Sequence, residues 1–153
     1  MSKLILMSGV AGSGKSTYAD RYAREHDNFI IISTDDTRYE LYQKYVLSRK
    51  EEDIVQKTIR DRIIEASKEN KNVIFDSAIV KNKSKIKLYN KYKEYFDEIS
   101  LIILDTSLKE CLNRNSKRTR KVPEEVIREM YSYREDITEE MRNMFKEIIV
   151  VKE

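Results

Sequence analysis

The 153-residue sequence has no tryptophan, and it holds one cysteine, one proline, one histidine and three glycines. A lone cysteine, Cys111, excludes an internal disulfide, and a single histidine leaves no Cys/His metal cluster to assemble. Cys111 reads as a small buried apolar residue, and His26 as a surface residue at a helix end. Long apolar runs are also missing. The N-terminal SKLILMSGV is too short for a signal peptide or a membrane span, so the expectation is a soluble cytoplasmic protein with no membrane partner. Neither charge sign dominates: 30 Lys and Arg face 27 Asp and Glu, a net charge of +3. So small an excess does not by itself indicate a nucleic-acid partner. With 40% apolar residues, the chain can bury a core without covalent staples, and its length suits one domain over residues 1–153.

The three glycines all fall within GVAGSGKST, as Gly9, Gly12 and Gly14. From Gly9 to Ser16 the stretch fits G-x-x-x-x-G-K-[ST]. It follows the apolar LILMS and precedes a helical stretch, Lys15–His26, which is the context this phosphate-binding motif requires. A loop wrapping a polyphosphate turns its backbone N–H groups inward. That takes positive φ angles and close backbone approach, which glycine permits. The following helix offers its N-terminal amides and positive dipole end to the phosphates. Gly9, Gly12, Ser13, Gly14, Lys15, Ser16 and Thr17 are the expected nucleotide contacts. Lys15 is expected on the β- and γ-phosphates of ATP, and Ser16 on Mg²⁺.

Short β-branched runs alternate with amphipathic stretches. Residues 4–8, 29–33, 72–76, 99–105 and 147–151 read as strands, several apolar throughout, as strands covered on both faces are. Val55, Ile59, Ile63 and Ala66 lie at helical spacing. So do Val126, Met130, Tyr133, Ile137, Met141 and Met144, which predict one long helix after Pro123. A further helix is expected over 83–96. Its lysines at 81, 83, 85, 87, 91 and 93 read as a solvated face, and the tyrosines fall mostly at core-like spacing. This alternation predicts an α/β fold with a parallel sheet between helices.

Ligands of such sheets bind beyond the carboxyl ends of the strands. After residues 29–33 comes Thr34-Asp35-Asp36-Thr37-Arg38. Either aspartate can take a hydroxyl proton, and Arg38 can hold an acceptor phosphate by a bidentate fork. The other of the two aspartates can cap the next helix, with Asp36 expected before YELYQ. Asp76 closes the strand at 72–76 and fits a Mg²⁺-shell or arginine-orienting role. Asp105 is expected to cap a helix. Residues 113–123 carry Arg114, Lys117, Arg118, Arg120 and Lys121. A basic helix end running into a loop reads as a lid, about residues 114–122, closing over the phosphates.

LILMSGVAGSGKSTYAD, STDDTR, VIFDS and CLNRNSKRTRKVPEEVIREMY, in this order and spacing, resemble the kinase module of phage-type 5′-hydroxyl polynucleotide kinase, a P-loop kinase. The resemblance covers nearly the whole chain, and its most specific part is RNSKR…VP…V…MY. It implies a five-stranded parallel sheet of order 2-3-1-4-5 and transfer of the γ-phosphate of ATP to a 5′-hydroxyl end of DNA or RNA. It also implies residue roles: Lys15 and Ser16 on phosphate and Mg²⁺, and Asp35 as general base. Arg38 falls to the acceptor phosphate, Asp76 to the active site, and Arg114 and Arg118 to the lid. Two departures stand out. Ala78 replaces a polar Asn of the family pattern, and Ser33 and Thr34 before Asp35 also differ. No D-x-D-x-T phosphatase motif is present, so 3′-phosphatase activity is not expected. A kinase of a small acceptor (nucleoside, nucleotide, sugar or antibiotic) shares the same catalytic residues, and a nucleotide-binding switch without phosphotransfer is the other alternative.

Overall fold

The computed structural model describes residues 2–152. Five strands form one parallel sheet: β1 (Lys3–Ser8), β2 (Phe29–Ser33), β3 (Asn72–Ile79), β4 (Glu98–Asp105) and β5 (Ile148–Lys152), in the spatial order β2-β3-β1-β4-β5. This is the expected 2-3-1-4-5 order. Side chains alternate across β1. Leu4 and Leu6 enter one core with Val55, Ile59 and Ile63 of α3 (Arg49–Lys68), Tyr92 of α4 (Asn82–Tyr92) and Met141. Ile5 and Met7 enter the other with Ala19 of α1 (Lys15–Glu25). Helices therefore cover both faces, which explains why Leu4–Met7 of β1 form an unbroken apolar run.

Local sequence fixes several helix starts. Ser48 and Glu51 form a reciprocal capping box at α3, satisfying two orphan donors at once. The helix α2 (Thr34–Tyr42) is capped by Ser33, whose hydroxyl accepts from the Asp36 amide at 3.2 Å. Asp36 is thus inside the helix rather than its cap. Likewise Ser107, not Asp105, caps α5 (Leu108–Ser116). Asp105 ends β4 and pairs with Arg134 at 2.8 Å. In both cases a serine hydroxyl two or three residues away has the cap geometry, leaving the carboxylate for another task.

The expected long helix after Pro123 is two helices, α6 (Glu124–Ser132) and α7 (Glu139–Met144). Periodicity is overridden by a tertiary contact over residues 133–138. Glu135 accepts from the Asn82 amide at 3.0 Å, so its carboxylate closes the N-terminus of α4, where the capping residue Lys81 supplies no side-chain bond. Asn82 Nδ2 donates to the Asp136 carbonyl at 2.7 Å. An anion at a helix N-terminus is favoured by the dipole and the free amides. Beside this contact lies Lys85, which departs from the expected solvated run: it is buried. Burial pushes its pKa down, and Glu135 partly opposes that. The tyrosines also depart from expectation, since Tyr92 alone among them is fully buried in the described residues. Cys111 is buried as expected, and His26 is exposed, stacked on Tyr22. No helix among the described residues is long and apolar enough to cross a membrane.

Candidate active site

The glycine loop follows β1 and leads into α1. Gly12 and Gly14 have φ of +84° and +99°, the left-handed region that side chains avoid. Gly9 serves by close approach instead: a Cβ there would meet Ser13 Oγ at 2.5 Å. Ser13 is buried, and its carbonyl accepts from Thr106 at 2.8 Å and from Arg114 Nη1 at 3.1 Å. The loop is thereby tied to β4 and α5.

A cleft of about 700 Å³ lies over the strand ends, lined by the loop and Lys15, Ser16 and Thr17, by Asp35, Asp36 and Arg38, by Asp76, and by Arg114, Arg118 and Arg120. Sheet register brings the parts together: Met7 pairs with Asp76, and Asp76 with Ser33. Past that point the ladder is interrupted, because Ser8 pairs next with Ile79. Ser77 and Ala78 bulge out of the ladder and line the cleft. Ser16 Oγ donates to Asp76 Oδ2 at 2.8 Å. One hydroxyl and one carboxylate on the cleft wall suit Mg²⁺, which takes few protein oxygens and fills its shell with water and phosphate. Among the described residues no cluster of three or more His, Cys, Asp or Glu could hold a metal alone. Lys15 is half-buried in the cleft wall. Its pKa is lowered by desolvation, against the opposing pull of Asp76 and Asp35. Asp36 sits near three other carboxylates. Partial burial, then Asp76, Asp35 and Asp20, push its pKa up.

Asp35 is held by two arginines. Arg38 Nη1 bonds Asp35 Oδ1 at 2.8 Å, and Arg120 Nη1 bonds Asp35 Oδ2 at 3.1 Å. Arg38 also forks onto Glu52 of α3, with Nε 3.1 and 3.2 Å from its two oxygens and Nη2 at 2.7 Å. The Arg38 bonds hold the Glu52 carboxyl below its ordinary range. Glu52 was not legible in the sequence: it lies 14 residues from Arg38, on an element whose start is marked only by the Ser48–Glu51 box. Arg120 was visible in the basic run but not singled out. Of the lid arginines expected, Arg118 lines the cleft, is exposed and pairs with no carboxylate among the described residues. Arg114 bonds Glu110 and the Ser13 carbonyl. The segment expected as a lid is clasped at its base: Asn115 donates to the Val122 carbonyl at 2.7 Å and accepts from its amide at 2.9 Å.

A glycine loop over a Ser–Asp pair, on a 2-3-1-4-5 parallel sheet, defines a protein of the P-loop kinase superfamily. The chain belongs to the AAA_33 family, described as an AAA domain, whose model matches residues 4–137. It is 31% identical over 134 residues to the L-seryl-tRNA(Sec) kinase of Methanococcus maripaludis, covering 84% of this chain and 51% of that protein. A chain of the Pnkp1/Rnl/Hen1 RNA repair complex superposes with a TM-score of 0.81 at 26% identity, covering 95% of this chain and 46% of the other. A gluconokinase from Sinorhizobium meliloti 1021 shares the fold, with a TM-score of 0.67 at 17% identity, covering 98% and 82%. The chain thus spans about half the length of the first two.

Proposed function

We propose that the chain is an ATP-dependent phosphotransferase that moves the γ-phosphate of ATP to a 5′-hydroxyl end of a polynucleotide, DNA or RNA. The observation that carries this reading is the ion-paired Asp35–Arg38 facing Lys15, Ser16 and Asp76 across one cleft. The backbone of residues 9–17 cradles the β- and γ-phosphates, and a phosphate beside Lys15 restores the charge that burial disfavours. Ser16 and Asp76 hold Mg²⁺, which when bound neutralises phosphate charge. Asp35 accepts the hydroxyl proton. Arg38 spends three of its five N–H donors on Glu52 and Asp35, leaving two for the acceptor's adjacent phosphate. Arg118, with Arg114 behind it, draws negative charge off the transferring group.

Two relatives support an acceptor carried on RNA, since one is named a seryl-tRNA(Sec) kinase and the other belongs to an RNA repair complex. The 31% identity to the first also supports a second reading, a serine hydroxyl on tRNA as acceptor. The deciding experiment offers γ-labelled ATP with a 5′-hydroxyl oligonucleotide, nucleoside 3′-phosphates, seryl-tRNA and a panel of small alcohols. Label on the oligonucleotide is expected. Label confined to seryl-tRNA or to small alcohols overturns the reading.

A further inference from the structure

At the acceptor end of the cleft, three flat groups are layered. The Arg120 guanidinium lies 3.7 Å over the Tyr45 ring, and Tyr45 stacks with Tyr39 at 5.4 Å between centroids and 23° between planes. Tyr45 lines the cleft, and Tyr39 directly follows Arg38 on α2. Tyr39 is 51% exposed and the neighbouring Val46 89% exposed, so this rim is apolar yet faces solvent. Its position beside Asp35 gives it a use that core packing does not.

Arg120 is the odd member. It occupies Asp35 Oδ2, an oxygen that a general base needs free for a hydroxyl proton. It also covers the face of Tyr45. A guanidinium and a nucleobase are both planar, delocalised groups that bind an aromatic face by stacking. Resting on the proposed 5′-hydroxyl kinase activity, we propose that Tyr45, backed by Tyr39, is the surface on which the acceptor's terminal nucleobase stacks, and that Arg120 holds the place of that base until it arrives. Entry of the base displaces Arg120 from the ring and from Asp35 together. The carboxylate is thereby freed for the incoming hydroxyl, and the guanidinium is released toward the phosphates. An acceptor without a base leaves Arg120 in place. The rim thus selects nucleotide ends over simple alcohols.

The test compares two 5′-hydroxyl oligonucleotides, one with a normal terminal nucleotide and one whose terminal residue is an abasic tetrahydrofuran. Phosphorylation and fluorescence-anisotropy binding are measured for the wild type, Tyr45→Ala and Tyr45→Phe. The wild type is expected to favour the normal end by about 5- to 150-fold in KM, the range that stacking of one base gives. In Tyr45→Ala the ratio falls to about one, and in Tyr45→Phe it is kept, because only the ring face is needed. An equal loss on both acceptors in Tyr45→Ala makes Tyr45 a strut for the lid and overturns the proposal. So does a wild type that treats the two ends alike. If no oligonucleotide is phosphorylated but base-dependent binding is present and lost in Tyr45→Ala, the kinase reading fails and the stacking surface stands. If neither oligonucleotide binds, both fail.

Discussion

Replacing Glu52 with Gln keeps the shape of the side chain and removes its charge from the Arg38 fork. In the wild type both carboxylate oxygens receive Arg38, and Oε1 also receives Gln56 Nε2 at 3.2 Å. Glutamine offers one neutral oxygen, and charge-assisted bonds are about twice as strong as neutral ones. The pair is partly exposed, with side-chain exposures of 25% and 32%, so screening reduces the effect. A loss of about 1–2 kcal/mol at neutral pH follows, equivalent to a melting temperature lower by about 2–8 °C for a chain of this size. Arg38 bonding lowers the Glu52 pKa below 4.5, so the folded state holds this proton more weakly than the unfolded one. The wild type's advantage is therefore fully present above pH 4.5 and fades as pH falls through the folded value. Thermal unfolding of both proteins from neutral pH to about pH 3 measures the gap directly, and comparing the pair cancels the other titrations. A gap that stays constant to the acid end, or is absent at neutral pH, refutes the assignment of Glu52 as the carboxylate that holds Arg38.

Asp35→Asn is expected to lower turnover about 10²- to 10⁴-fold, the usual worth of a general base, while ATP affinity measured by calorimetry is kept. Unchanged turnover removes Asp35 as the base, and running Asp36→Asn in parallel shows whether its neighbour carries the role. Gly12→Ala places a Cβ 2.6 Å from the Cys111 carbonyl at a φ of +84°, so a loss of at least about 1–3 kcal/mol is expected in denaturant melts, with nucleotide binding impaired. Lys85→Met replaces a buried ammonium whose pKa is lowered by desolvation. The charge costs stability below its folded pKa and nothing above 10.5, so the variant's gain should be largest near neutral pH and vanish as pH rises toward 10.5. A gain that does not shrink with pH points to packing instead.

The glycine loop and the five strands were legible because each rests on a local rule, glycine at positive φ and apolar runs between turns, whereas the strand order was legible only through the family likeness. The split between α6 and α7 was not legible, because it depends on Glu135 reaching the N-terminus of α4, 53 residues away in sequence. The same limit hid Glu52 behind Arg38 and the approach of Arg120 to Asp35, which are 85 residues apart. Lys85 was read as solvated because its spacing among other lysines carries no mark of burial. Charge runs predict composition of a surface, and only tertiary contact says which member turns inward.

The pairing of β1 has a consequence for how the protein comes into being. The strand that leads into the phosphate loop bonds with β3 and β4, made roughly 70 and 95 residues later. The loop's own supports come later still, with Thr106 bonded to Ser13 and the Cys111 backbone closed against Gly12. During synthesis the first strand must therefore wait, unpaired and apolar, until much of the chain has followed it. Competence to grip a nucleotide thus arrives as a late event of folding, although its motif is written at the beginning. A nucleotide present at that moment would bind only the finished loop and draw the equilibrium toward it.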